Sequence, residues 1–144
     1  MIATADASFL VSLYGEDVNT PAAEQWMRGA AVPLWLTPFG WFEAENALRL
    51  CAFRQRLTGA QLKVGLARMQ EDLVAGVLLV RDFPASTLAG EAGLLGGQTT
   101  ETQGGRAFDV LHVAAAKLLG ADTFLSFDGR QRELADLAGL TVAR

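Results

Sequence analysis

Residues 106–131, RAFDVLHVAAAKLLGADTFLSFDGRQ, constrain the fold of this chain more than any other stretch. From 107 to 119 the pattern is apolar on nearly every side, with Ala114, Ala115 and Ala116 in a row. A helix of that kind is buried in a core. One carboxylate interrupts it: Asp109, one turn from Val113 and two from Ala116. A buried carboxylate without a partner is costly, so it must neutralise or find a cation. The turn Gly120-Ala121-Asp122 then leads into an apolar run of strand length, 123–127, which ends at Asp128-Gly129 where a new helical pattern begins. Acids at the C-terminal ends of parallel strands lie where open α/β sheets place their binding sites.

The rest of the chain repeats this grammar. Residues 2–5 form a short apolar opening, followed by Asp6-Ala7-Ser8 and an apolar helical pattern from Phe9 to Tyr14. Asp6 is a good helix N-cap, and that reading stands beside a role in a site. Thr20-Pro21 and Thr37-Pro38 each place a cap residue before a first-turn proline. They predict helices over 21–29 and from 38 onward, with a strand over 33–37 between them. Further helices are expected over 62–74, 86–95 and 131–138, and strands over 77–81 and 140–142. The Gly/Thr/Gln-rich segment before Arg106 reads as an irregular connection. Strands alternating with helices predict one domain over 1–144, a three-layer α/β/α sandwich on a mostly parallel sheet.

In the helix from Pro38, Phe39, Phe42, Glu43, Asn46, Leu50 and Phe53 share one face. That periodicity predicts the core face, with Glu45, Arg49 and Ala52 on solvated surface. Glu43 is anomalous there: it either snorkels to water from the stripe's edge or serves a site.

Composition bounds the chemistry. Apolar residues make up 51% and charged residues 19%, a globular balance. Cys51 is the only cysteine and His112 the only histidine, which excludes an intrachain disulfide and a Cys/His zinc centre. A reducing cytoplasm is the natural compartment. Residues 1–10 show no basic signal region, and no apolar run reaches the length of a membrane span. The net charge of −4 argues mildly against a nucleic-acid binder, whose affinity comes largely from neutralising phosphate. Should Asp6, Glu43, Asp109 and Asp128 converge, they repel by about 4 kcal/mol per pair at ~4 Å and an effective dielectric near 20. Protons or a cation must relieve that, and an all-oxygen donor set suits Mg²⁺ or Mn²⁺. Such a centre activates water and neutralises phosphoryl charge.

These motifs resemble the PIN-domain family, and its VapC-type toxins most of all: Asp6-x-Ser8, Glu43 with Asn46, Arg106-x-x-Asp109-x-x-His112 before the alanine run, and Ser126-x-Asp128. The resemblance implies a metal-dependent endoribonuclease in which Asp6, Glu43, Asp109 and Asp128 hold Mg²⁺ or Mn²⁺. Asp6 and Asp109 would be direct ligands, while Glu43 and Asp128 would act directly or through water. Ser8, Asn46 and Ser126 would support the carboxylates. It also implies an RNA substrate, a cognate antitoxin that blocks the acidic pocket, and a homodimer. Ala7 departs from the family, where many members carry a hydroxyl.

Neighbouring residues have plainer roles to weigh. His112 is read as a core histidine bonded to backbone rather than a general base. Arg106 either pairs with Asp109 a turn later or touches phosphate. Arg130, like Arg132, could contact RNA, though exposed arginines usually do nothing specific. Trp35, Trp41 and Tyr14 are read as core or dimer contacts. Two rival functions remain: a PIN-fold module that binds a partner with little or no nuclease activity, and a phosphatase or phosphoacceptor domain. The second needs a Lys at a strand end, which is missing.

Overall fold

The computed structural model describes residues 1–143. In chain order the elements are β1 (Ala3–Ala5), α1 (Ala7–Tyr14), α2 (Thr20–Ala30), β2 (Leu34–Leu36), α3 (Pro38–Phe53) and α4 (Gly59–Val74). They continue with β3 (Leu78–Val80), α5 (Ala85–Gln103), α6 (Ala107–Leu119), β4 (Thr123–Leu125), α7 (Gly129–Leu137) and β5 (Thr141–Val142). The five strands form one sheet in the order β3-β2-β1-β4-β5, and every pairing is parallel.

The central strands β1, β2 and β4 are buried between helices on both faces, while the edge strands β3 and β5 are partly exposed. Ala3, Ala5, Leu34, Leu36, Leu78 and Leu125 join the core that α1 to α4 close, around Phe9, Leu10, Leu48 and Met69. Phe124 points to the opposite face, into a core with Leu88, Leu95, Val113, Ala114 and Leu134 of α5 to α7. Fully buried parallel strands of this kind read as short apolar runs. The expected α/β/α sandwich is therefore the observed one.

Two elements differ from expectation. In α3 the buried residues are Gly40, Ala44 and Leu48. The aromatic stripe that periodicity assigned to the core is outside: Phe42 is 57% exposed and Phe53 84%. The small residues Gly40 and Ala44 let the helix backbone come close to its neighbours, with Leu48 filling the core a turn further on, and a bulky stripe cannot do that.

The second difference lies in α5, which runs unbroken through the segment read as an irregular connection and ends at Gly104 in the left-handed conformation (φ +74). Packing overrides propensity here. Leu88, Leu95 and Thr99 are buried, and Gly96 faces Val110 of α6.

Connections from β1 run to β2 and β3 on one side, whereas β4 and β5 lie on the other. The order of the strands reverses between β1 and β4. Open sheets place their ligand crevice at the C-terminal ends of strands around such a reversal.

Candidate functional site

Asp6 and Ser126 lie just past the C-terminal ends of β1 and β4, on either side of this reversal. Asp6 caps α1, accepting from the Phe9 N–H at 3.1 Å, so the capping role holds. The same carboxylate is only 6% exposed and accepts two further bonds, from Ser8 Oγ to Oδ1 and from Ser126 Oγ to Oδ2, each at 2.6 Å. Those hydroxyls are themselves held: Ser8 Oγ accepts from Phe127 N–H at 2.9 Å, and Ser126 Oγ from Asp128 N–H at 3.0 Å. The result is a closed network across the reversal point. Burial pushes the Asp6 carboxyl above its ordinary 3.8, while the bonds from Ser126, Ser8 and Phe9 and the charge on His112 pull the other way.

Asp109 and Asp128 head two helices and line one open cavity of about 600 Å³, with Gln103, Arg106, Arg130 and Gln131. Asp109 is not the deeply buried acid that the sequence suggested. It sits half-buried in the first turn of α6, where its Oδ2 accepts from Arg106 N–H at 3.4 Å and the helix dipole favours negative charge. Asp128 caps α7, its Oδ1 accepting from Arg130 N–H at 2.8 Å and Gln131 N–H at 3.2 Å. Each acid keeps its other oxygen free of protein donors among the described residues. Arg106 and Arg130 are exposed and, among the described residues, form no ion pair, so the side-chain pair of Arg106 with Asp109 is absent.

Glu43 lies at the edge of α3, its side chain 31% exposed, and its Oε2 bonds His112 Nε2 of α6. His112 is buried as expected, but its partner is this carboxylate rather than backbone. The ring also rests near Phe108, with centroids 5.9 Å apart. Asn46 is exposed on the stripe and makes no side-chain hydrogen bond among the described residues.

Gln103 and Gln131 were not legible as site residues. Gln131 is 2% exposed and donates from Nε2 to the Asp109 carbonyl at 3.0 Å; Gln103 Nε2 donates to the Arg130 carbonyl at 2.9 Å. With both amide nitrogens committed, both Oε1 atoms are buried without a partner. Asp128-x-x-Gln131 has the spacing of a capping box, a signal that could have drawn attention to Gln131.

Among the described residues no group of three or more His, Cys, Asp or Glu side chains stands close enough to hold a metal ion. A closed protein cage of the calcium kind is therefore not built. The donor set does suit Mg²⁺, which is commonly held by one or two carboxylates with water and substrate phosphate completing the shell. Two carboxylates with free oxygens face one polar cavity here, flanked by two guanidinium groups.

A family model described as "PIN domain" matches residues 3–137. The chain belongs to the PIN-domain family. The PIN domain is generally a nuclease fold, and its members commonly use divalent metals. Among solved structures, the "Crystal structure of PAE2754 from Pyrobaculum aerophilum" is similar with a TM-score of 0.66 and 18% identity, over 99% of this chain and 83% of that one. At that identity the likeness is one of fold. No curated protein matches the chain. No helix of this PIN domain is long and apolar enough, among the described residues, to cross a membrane.

Proposed function

We propose that this PIN domain is a metal-dependent endoribonuclease, the VapC-like toxin of a toxin–antitoxin pair. The observation that carries the reading is the cavity in which Asp109 and Asp128 stand beside Arg106 and Arg130. It combines free carboxylate oxygens for a hard cation with guanidinium groups for a phosphodiester. Asp109 and Asp128 would hold Mg²⁺ or Mn²⁺ there; Asp6, committed to its serine network, and Glu43, bonded to His112, do not line that cavity. The bound cation would supply a water of lowered pKa and offset charge on the phosphoryl oxygens. Arg106 and Arg130 orient the RNA phosphate. Ser8 and Ser126 hold Asp6 in one rotamer, and Ser126 ties it to the backbone of Asp128. A cognate antitoxin would fit by closing the cavity mouth.

The test is cleavage of single-stranded RNA by purified protein with Mg²⁺ or Mn²⁺, beside Asp109→Asn and Asp128→Asn. Each substitution is expected to lower the rate at least about 100-fold, the scale of losing one electrostatic contact to the reacting group, and a chelator should silence the wild type. Equal rates in all three proteins would refute the reading. The rival reading is a PIN-fold module that binds a partner without cutting; among the described residues three acids do not gather at one point. No cleavage of any RNA, together with a stable protein complex, would select it.

A further inference from the structure

The start of α7 has the spacing of a motif that α4 completes, and departs from it in one bond. In α4 the Gln61 side chain turns back to accept from Thr58 N–H at 2.8 Å, while Thr58 Oγ1 accepts from Gln61 N–H at 3.1 Å, a closed capping box. In α7, Asp128 Oδ1 accepts from Gln131 N–H at 3.2 Å, but Asp128 N–H is taken by Ser126 Oγ. The Gln131 side chain is thereby released from its own helix. It crosses to α6 and donates from Nε2 to the Asp109 carbonyl at 3.0 Å. One residue thus touches both acids of the cavity, Asp128 through its backbone and Asp109 through its amide.

Fold stability does not call for that bond. The Asp109 carbonyl lies in a helical turn that already supplies it with the Val113 N–H, so the amide takes a second lone pair. Gln131 shares the buried face of α7 with Leu134 and Ala135, where an apolar side chain would serve packing as well. Its Oε1 is buried without a partner, and such an acceptor costs as much as one hydrogen bond returns. An amide placed in a core at no net gain has to be explained by what it holds in place. What it holds is the spacing between the first turns of α6 and α7, where Asp109 and Asp128 stand.

We propose that Gln131 is a positioning residue: it sets the separation of Asp109 and Asp128 and, through it, the affinity and selectivity for a divalent cation. On the reading of these two acids as cation ligands, on which this inference rests, the kind of ion matters. Mg²⁺ demands near-ideal octahedral geometry whereas Ca²⁺ accepts a flexible shell, so a change in spacing penalises Mg²⁺ more. The test compares wild type with Gln131→Met, of similar length and without the donor. Leu134→Met, on the same buried face, leaves the amide in place and serves as the control. Mn²⁺ binding is read by electron paramagnetic resonance, Mg²⁺ and Ca²⁺ by competition against it, and stability by urea unfolding. Gln131→Met should bind Mn²⁺ and Mg²⁺ about 10-fold more weakly, the lower end of the loss when a group supporting a metal ligand is removed. Its loss for Ca²⁺ should be smaller, and its unfolding midpoint should not fall. Leu134→Met should keep wild-type affinities. A Gln131→Met protein that binds all three ions like wild type overturns the inference and leaves the metal reading standing. Equal losses for Mg²⁺ and Ca²⁺, or the same loss in Leu134→Met, overturn it as well. Wild type that binds no divalent cation refutes the metal reading and this inference with it. Should Gln131→Met fail to fold, Gln131→Leu carries the same expectations, and failure of both shows that the amide serves the fold rather than the site.

Discussion

Asp6 does two jobs whose demands conflict. As a cap and as the hub of the serine network it accepts three bonds, yet its burial disfavours the charge that makes those bonds strong. An acid whose native pKa lies above its unfolded value holds more protons when folded, so its ionisation subtracts stability as pH rises above the unfolded pKa. Asp6→Asn should therefore melt higher than wild type at pH 7. The difference should close as pH falls below about 3.5, where the carboxyl is protonated in both states; thermal melts across pH read this directly. Ser126→Ala has the opposite sign. It leaves Asp6 Oδ2 and the Asp128 N–H without their partner, at a cost of about 1–3 kcal/mol, readable by urea unfolding.

At the scale of elements, α5 and α3 show how far the sequence could be read. The positions of Asp6 and Asp128 were legible because a strand, an acid and a helix start follow one another within a few residues. The C-terminal half of α5 was not, because its glycines carry the signature of a loop while the force that keeps it helical comes from α6. Gly93 and Gly97 are exposed helical positions with open space where a Cβ would stand. Gly93→Ala and Gly97→Ala should each stabilise the protein by about 0.5–1 kcal/mol, measured as a rise in the denaturation midpoint. In a true loop the substitutions would do nothing regular. The α3 stripe was misassigned for a related reason: periodicity reports which residues share a face, and only the neighbouring elements decide whether that face turns inward. Glu43 was singled out for lying within a core stripe, and in fact lies at the edge of an exposed one, held by His112. Sequence pattern cannot supply such a partner when it lies 69 residues away.

For the whole molecule, the net charge of −4 sets the terms on which a polyanion can be held. On the proposed reading only Arg106 and Arg130 meet phosphate at the cavity. Single-stranded RNA releases about 0.7 counterion per phosphate neutralised. The affinity should therefore fall with salt on a log–log slope of about −1.4, and Arg106→Ala should flatten it to about −0.7. Fluorescence anisotropy with a labelled oligonucleotide and catalytically silent Asp109→Asn protein measures both. A much steeper slope would place the main phosphate track elsewhere on the surface.

The glutamine amides carry a last implication. Gln131 ties the start of α7 to the start of α6, and Gln103 ties the end of α5 to the start of α7. Three helix ends around the opening are thus cross-braced from within. A mouth strutted in this way keeps one gauge, and any polymer threaded through it has to do the bending itself.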